Sequence, residues 1–438
     1  AAAKQREREA MTERLRIAGH ETFRSFASRN FRLFFGGQLI SQAGTWMQSV
    51  AITWLVLDLT GSGVALGLVT AAEFLPILVL GAWAGVIADR VDRHRLMLYT
   101  QSAFLALATT LSVLTLSGRI TVGALFLLSL VFGIINAFDN PSRRALVVEL
   151  VPETDVPNAV GLNSALMTGS RVVGPTIAGV LIAGPGAGVC FVVNAVTYVA
   201  VIAALLRMNR ARFRSSPRVA KAKGQLREGL GYVWRTPELR LPIILMAVVG
   251  TVAFNYPVTL PLLAERTFHG TASTFTMLFA TLSLGSVVGA LVVARRSSVD
   301  LWFLVRSGAG LAVSTLALAA APALPLAVLA SLAVGFCNVL MISGANTVVQ
   351  LRAAPPMRGR VLALLTVVFL GSTPIGSPII GAVAELTDVR VALVLGGLAT
   401  GLATAWTARQ MRTSAQPEPA AGLVAIATNP AAGFREVA

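Results

Sequence analysis

Ionisable side chains are scarce in the apolar stretches of this chain, and the few present are the ones positioned to do chemistry. Glu73 sits in VTAAEFLPILV, midway along an apolar segment and just before Pro76. A carboxyl group there can take up and release a proton, and its neutral form moves between environments at low cost. Arg171 is the one basic residue deep inside such a segment. It can neutralise Glu73 or an acidic group on a substrate, or brace its helix by bonding to backbone carbonyls. These two are the proton-coupling candidates. Hydrogen-bonding groups at comparable depth are Gln38, Gln42, Asn136, Asn163, Asn194, Asn255, Tyr256 and Asn338. Trp46 can supply an apolar wall and shares a helical face with Gln42, four positions away. Together they suit a broad, mostly apolar pocket for a small molecule. No HExxH, CxxC or paired-carboxylate pattern occurs, and His20, His94 and His269 are scattered, so neither metal nor cofactor is expected. The sequence also lacks GxxxxGK[ST], so the chain is not expected to hydrolyse ATP.

The elements that must position these residues follow from composition. Of 438 residues, 55% are hydrophobic and 13% charged, about half the charge of an ordinary soluble domain at about 25%. A membrane-spanning helix needs roughly 20 apolar residues. By that criterion there are twelve spans, at 33–57, 64–88, 97–117, 121–140, 158–183, 188–206, 242–263, 274–294, 302–321, 324–344, 361–383 and 390–407. They imply a cytoplasmic tail over 1–32, a six-helix half over 33–206, a basic linker over 207–240, a second half over 241–408 and a tail over 409–438 without regular structure. No cleavable signal peptide is evident, and Met11 is a candidate natural start.

The net charge of +16 argues against a nucleic-acid partner because of where it lies. All but four of the 36 Lys and Arg residues fall in segments that twelve spans put on one side. The exceptions are Arg119, Arg266 and Arg390 on the other side and Arg171 within a span. Positive charge stays on the cytoplasmic side, so both termini are expected there, in a multi-pass protein of the plasma (inner) membrane.

The two halves repeat. Gly169, Ser170, Gly174 and Gly179 of GSRVVGPTIAG recur as Gly371, Ser372, Gly376 and Gly381 of GSTPIGSPIIG, each 202 positions on; Gly133 and Asn136 recur as Gly335 and Asn338 at the same offset. Gly81 and Gly85 of span 2 recur as Gly285 and Gly289 of span 8. Helices in lipid pack closely through small residues. Gly81, Gly174, Pro175, Gly179, Gly285, Gly289, Gly376 and Gly381 are therefore expected where the two halves meet and slide.

With these features the sequence resembles the major facilitator superfamily over roughly 30–410. GVIADRVDRHR (85–95) is similar to that family's loop 2–3 motif, GxLADRxGRRR, matching at Gly85, Asp89, Arg90, Arg93 and Arg95 and departing at Asp92, where the family prefers Gly. GSRVVGPTIAG resembles the span 5 motif associated with exporters. FRLFFGGQLISQAGTWMQ, LTGSG and AFDNPSRRALVVELVP are similar to the bacterial branch of macrolide, multidrug and enterobactin exporters. The resemblance implies an all-α integral membrane fold with twelve transmembrane helices in two pseudo-symmetric six-helix halves. It implies a cytoplasmic latch in which Asp89 faces the start of span 11 near Gly359 and Arg360, and Arg93 pairs with Asp139. The expected function is proton-coupled efflux of hydrophobic or amphipathic compounds by a competent monomer. A siderophore exporter or lysophospholipid transporter of the same fold is the alternative; a non-transporting sensor is a minor one. The expectation is a transporter and not an enzyme.

Overall fold

The computed structural model describes residues 23–214, 225–296 and 299–414; the side chains of Ala82, Asp89, Ser414 and 225–227 lie outside that description. Most of both expected tails and the centre of the linker are therefore outside the described residues. Twelve long helical segments follow the twelve expected spans. They are α1 Arg29–Thr60, α2 Gly63–Arg90, α3 Arg93–Leu116, α4 Val122–Glu149, α5 Val156–Ala183, α6 Ala187–Leu206, α7 Pro237–Val252 continued as Tyr256–Leu262, α8 Ala272–Ala294, α9 Leu301–Ala320, α10 Leu324–Arg352, α11 Pro355–Leu386 and α12 Val389–Ser414.

Several helices run past the apolar stretches that betrayed them, because local caps and not hydropathy set their ends. Ser28, Ser62, Asp92, Thr121 and Asp300 each accept a backbone N–H with their side chains and so start α1, α2, α3, α4 and α9. Asp92, the departure from the loop 2–3 motif, is thus the cap of α3, accepting from the Arg95 N–H at 3.0 Å. Eleven of the helices are long and apolar enough to cross a membrane among the described residues; α1 is long enough but too polar. Its Gln38, Ser41, Gln42 and Gln48 fall within one broad arc of the helix, and all four are buried. The polar stripe therefore faces protein rather than lipid, which is why α1 escapes a hydropathy criterion.

The packing repeats the sequence duplication. In the first half α2 lies on α4, α4 on α3, α3 on α6, and α1 on both α5 and α6; the second half repeats every pair six helices later. Among the described residues, only α2 with α11 and α5 with α8 form extensive helix pairs between halves. The helix α7 is interrupted around Asn255. Pro257 removes a backbone donor there, and Asn255 takes up the loose ends by donating to Thr251 O at 2.8 Å and accepting from Ser377 Oγ at 2.8 Å. The linker is more than a solvated strand. Residues Gln225–Arg235 form a short helix whose Glu228 pairs with Arg360 at 2.6 Å. Ahead of the undescribed stretch, Arg210 pairs with Asp92 and Arg214 with Glu153.

The glycines separate into groups that repeat spacing alone does not distinguish. A Cβ on Gly174 would lie 2.6 Å from Ala43 O, and one on Gly376 would lie 2.6 Å from the carbonyl carbon of Thr251. These equivalent residues pack α5 on α1 and α11 on α7, each inside one half. Gly285 and Gly289 meet Leu332 and Phe336 of α10, also inside one half, and Gly81 meets only its own helix's Ile77. The expectation that Gly174, Gly285, Gly289 and Gly376 line the boundary is corrected. Gly179 does cross it, with its Cβ position 3.0 Å from Thr276 Cβ on α8; Gly381 crosses it too, against Gly63 of α2. Pro175 is buried within α5. Gly63 and Gly67, which the repeat does not flag, also cross: a Cβ on Gly63 would lie 2.7 Å from Gly381 O, and one on Gly67 2.8 Å from Pro378 Cα.

All these boundary contacts lie toward one end of the bundle, the end away from the start of α1 and the finish of α12, here called distal. Trp54 stacks on Phe275 there at 6.3 Å, and Trp46 meets Phe279 at 6.4 Å. At mid-height Leu78 of α2 fills the space over Gly371 of α11. Beyond that level, toward the terminal end, Gly81, Gly161, Gly169 and Gly359 have no atom of the other half within 4 Å of their Cβ positions. The contacts between halves recorded at these positions are therefore distal and mid-height.

Candidate translocation site between the halves

The residues singled out for chemistry fall into distinct settings. Arg171 is exposed on α5 and places its guanidinium 5.0 Å from the ring centre of Trp46 on α1. The contact arises because Gly174, one turn along, lets α5 press onto α1 at Ala43 and Trp46. A cation over an indole face is held by the ring quadrupole, and Phe279 from the other half completes an aromatic wall. Glu73 is half-buried on α2, where Gly133 of α4 packs on its backbone carbonyl. Among the described residues neither Glu73 nor Arg171 has an ion-pair or hydrogen-bond partner, and they are not joined to each other.

The neutral candidates divide further. Gln42 Nε2 donates to Gln38 Oε1 at 3.2 Å, while Gln38 Nε2 has no partner among the described residues. Asn163 Oδ1, Tyr256 Oη and Asn338 Oδ1 are likewise buried without a partner. Such groups cost free energy unless a function or a bound molecule uses them. Asn194 is different. It is fully buried, donates to Gln48 Oε1 at 2.8 Å and accepts from Thr197 Oγ1 at 3.0 Å. It ties α6 to α1, and its expected place in a cavity is corrected. Asn255 is also fully buried and serves the break in α7.

Sequence reasoning missed a buried polar network around α4. Asp139 accepts from Thr100 Oγ1 at 2.7 Å and Gln101 Nε2 at 2.8 Å, and lies 3.7 Å from Arg143. Arg143 donates to Asn140 Oδ1 at 2.6 Å, and Asn140 donates to Asn136 Oδ1 at 2.8 Å. Asp139 and Arg143 are 1% and 4% exposed, so the pair is desolvated and each charge depends on the other. The i, i+4 spacing of Asp139 and Arg143 carried the signal. It was masked by ending span 4 at residue 140 and assigning Arg143 to a loop.

Arg93 does not pair with Asp139, as the latch expectation had it. It pairs with Glu149 at the end of α4, while Asp139 is engaged by Thr100 and Gln101 of α3 and by Arg143. Arg95 lies 3.9 Å from Asp92, Arg90 is exposed and Gly85 half-buried. The Asp89 side chain is outside the described residues. Arg360, its expected neighbour, pairs with Glu228.

Two grooves open on the outer surface of the helices, the first beside the Gly179–Thr276 contact. One of about 610 Å³ lies between α5 and α8, and one of about 430 Å³ between α9 and α12. Both are lined mainly by apolar residues, such as the largely exposed Val180 and Leu402, as lipid-facing crevices are.

A family described as transmembrane secretion effector matches residues 20–422. The chain belongs to that family, within the major facilitator superfamily. This major facilitator chain is 28% identical over 262 residues to the staphyloferrin A transporter of Staphylococcus aureus, covering 60% of this chain and 66% of that protein. It is 27% identical over 363 residues to the multidrug efflux pump Tap of Mycolicibacterium fortuitum, covering 79% and 87%. The match thus spans just under two thirds of the first relative's length. Among solved structures, a bacterial homologue of the human lysosomal transporter Spinster superposes with a TM-score of 0.70 at 15% identity, covering 88% of this chain and 98% of that one. The superfamily resemblance read from the loop 2–3 and span 5 motifs is borne out, as is the all-α fold of two six-helix halves.

Proposed function

We propose that this chain is a secondary transporter of the plasma membrane that expels hydrophobic or amphipathic small molecules, coupled to protons, by alternating access. The observation that supports the reading is the boundary between halves, where close backbone contacts gather from the distal end to mid-height, while the glycines beyond meet no atom of the other half among the described residues. With the terminal end cytoplasmic, as the Lys and Arg distribution supports, this state reads as inward-facing. The substrate enters from the cytoplasm or inner leaflet and meets the wall formed by Trp46, Phe279 and Arg171. Gln38, Asn163, Tyr256 and Asn338 offer the unused hydrogen-bonding atoms. Glu73, without an ionic partner, carries the proton. Transport by each monomer is expected, since both gates and the candidate site lie within one chain.

Arg171 supports a second reading. An exposed cation with no carboxylate partner among the described residues favours a substrate bearing negative charge, and the similarity to the staphyloferrin A transporter supports siderophores beside drugs. Uptake of dyes, macrolides and ferric siderophores into inverted vesicles energised by a proton gradient tests both, with wild type and Glu73→Gln in parallel. Gradient-driven uptake lost in Glu73→Gln supports proton-coupled export. Uptake persisting in that variant removes Glu73 as carrier. Uptake of siderophore alone selects the second reading, and uptake of none refutes the proposal.

A further inference from the structure

The stretch LTGSG and the last turn of α11 meet at the distal end, where no role has yet been assigned. Gly61 ends α1 in the left-handed region, with φ 58°, and its N–H bonds to Leu57 O at 2.7 Å. Ser62 then caps α2, accepting from the Ala65 N–H at 3.2 Å. The same hydroxyl donates to Glu385 Oε2 at 2.5 Å, and the Val64 N–H donates to that oxygen at 2.9 Å. Glu385 belongs to α11, in the other half. A carboxylate is thus seated on the first turn of α2, where backbone N–H groups lack helical partners and the helix dipole favours negative charge. Arg266, between α7 and α8, donates to Ala384 O at 3.1 Å and to Gly61 O, tying the end of α11 to the α1–α2 turn. Just inside, the Gly63 and Gly381 backbones approach too closely for any side chain.

The two helices are antiparallel, and their ends match. Glu385 is one residue from the end of α11, and Asp89 is one residue from the end of α2. Each helix therefore carries a carboxyl residue in its last turn, at the level of its neighbour's first turn. We propose that Glu385, with Ser62 and Arg266, is the outer latch of the α2–α11 pair. It is the counterpart of the Asp89 latch, seated while the distal gate is closed and released when that gate opens. The two helices pivot near the contact of Leu78 with Gly371, so the latches engage in turn. This rests on the reading that the α2–α11 boundary moves.

The test is a distance measurement that needs no substrate. Nitroxides are attached at Ser117→Cys and Ala323→Cys, in the distal turns of the two halves, with Cys190 and Cys337 replaced by Ala. Glu385→Ala, and separately Arg266→Gln, are expected to raise the ratio of long to short distances about two- to fivefold, and Asp89→Asn to leave the short distance dominant. Melting temperatures recorded alongside separate the alternatives. Lower melting temperatures with unmoved distances would show that Glu385 and Arg266 only cap helices, and would overturn the proposal. Gly67→Ala serves as the reference: a shift there with none in the latch variants refutes the latch alone. No shift in any variant refutes the moving boundary itself.

Discussion

Gly67→Ala is the sharpest perturbation of the boundary. A methyl group at this position would lie 2.8 Å from Pro378 Cα and closer still to the Ser377 carbonyl oxygen. Both are backbone atoms that cannot turn aside. Carbon atoms rest about 3.5–4.0 Å apart, so α2 and α11 must separate locally by roughly 0.7–1.2 Å. Forced overpacking of this kind costs about 1–3 kcal/mol. The cost falls on the distally closed state, because the two helices part there when the distal gate opens. The gain in helix propensity from Gly to Ala, about 1 kcal/mol, applies to both states and cancels. The ratio of distally open to closed molecules should therefore rise roughly 5- to 150-fold. The assay is the distance distribution between nitroxides on the distal turns of the two halves. Gly335→Ala is the control: its Cβ position is 2.7 Å from the carbonyl carbon of Leu282, inside the second half. That substitution should lower the melting temperature without moving the distribution. An unmoved distribution in Gly67→Ala, with a melting temperature lowered as in the control, would refute the argument, since the close approach would then belong to the fold and not to one state.

Three other perturbations have expected outcomes. Asp139→Leu should destabilise the protein by about 3–5 kcal/mol by stranding the buried Arg143, while adding Arg143→Met should recover much of the loss; thermal melting in detergent checks both, and a wild-type melting temperature for the single variant would refute the coupling. Ser377→Ala should cost about 1–3 kcal/mol by leaving Asn255 Oδ1 unpaired, read from the same melting curves. Asp89→Asn should impair gradient-driven transport while expression and melting persist, and normal flux in vesicles would sink its role at the terminal gate.

Architecture and membership were legible in the sequence because they rest on signals that are local or periodic. Apolar length announces a spanning helix wherever the chain must satisfy its backbone without water, and duplication shows as matched glycines at a constant offset. The span at 33–57 was read from its apolar length, whereas the burial of Gln38, Gln42 and Gln48 along it came only from the structure. The candidate polar groups could be named but not sorted. Asn194 and Asn338 look alike in sequence, yet one is bonded to Gln48 and Thr197 and the other has a buried oxygen with no partner among the described residues.

That sorting required the tertiary structure, for a physical reason. A glycine or asparagine states only that a close approach or a hydrogen bond is possible; which neighbour supplies it depends on how helices far apart in the chain are rotated and stacked. Gly174 and Gly179 lie five positions apart on one helix, but one seats α5 against its own half and the other against the opposite half. Arg93 pairs with Glu149, while Asp139 is engaged by Thr100, Gln101 and Arg143. Glu385 reached Ser62 across 323 positions, a contact with no local signature at all. The sequence by itself determined twelve helices in two related sets. Only their packing decided at which end of the boundary the close contacts gather.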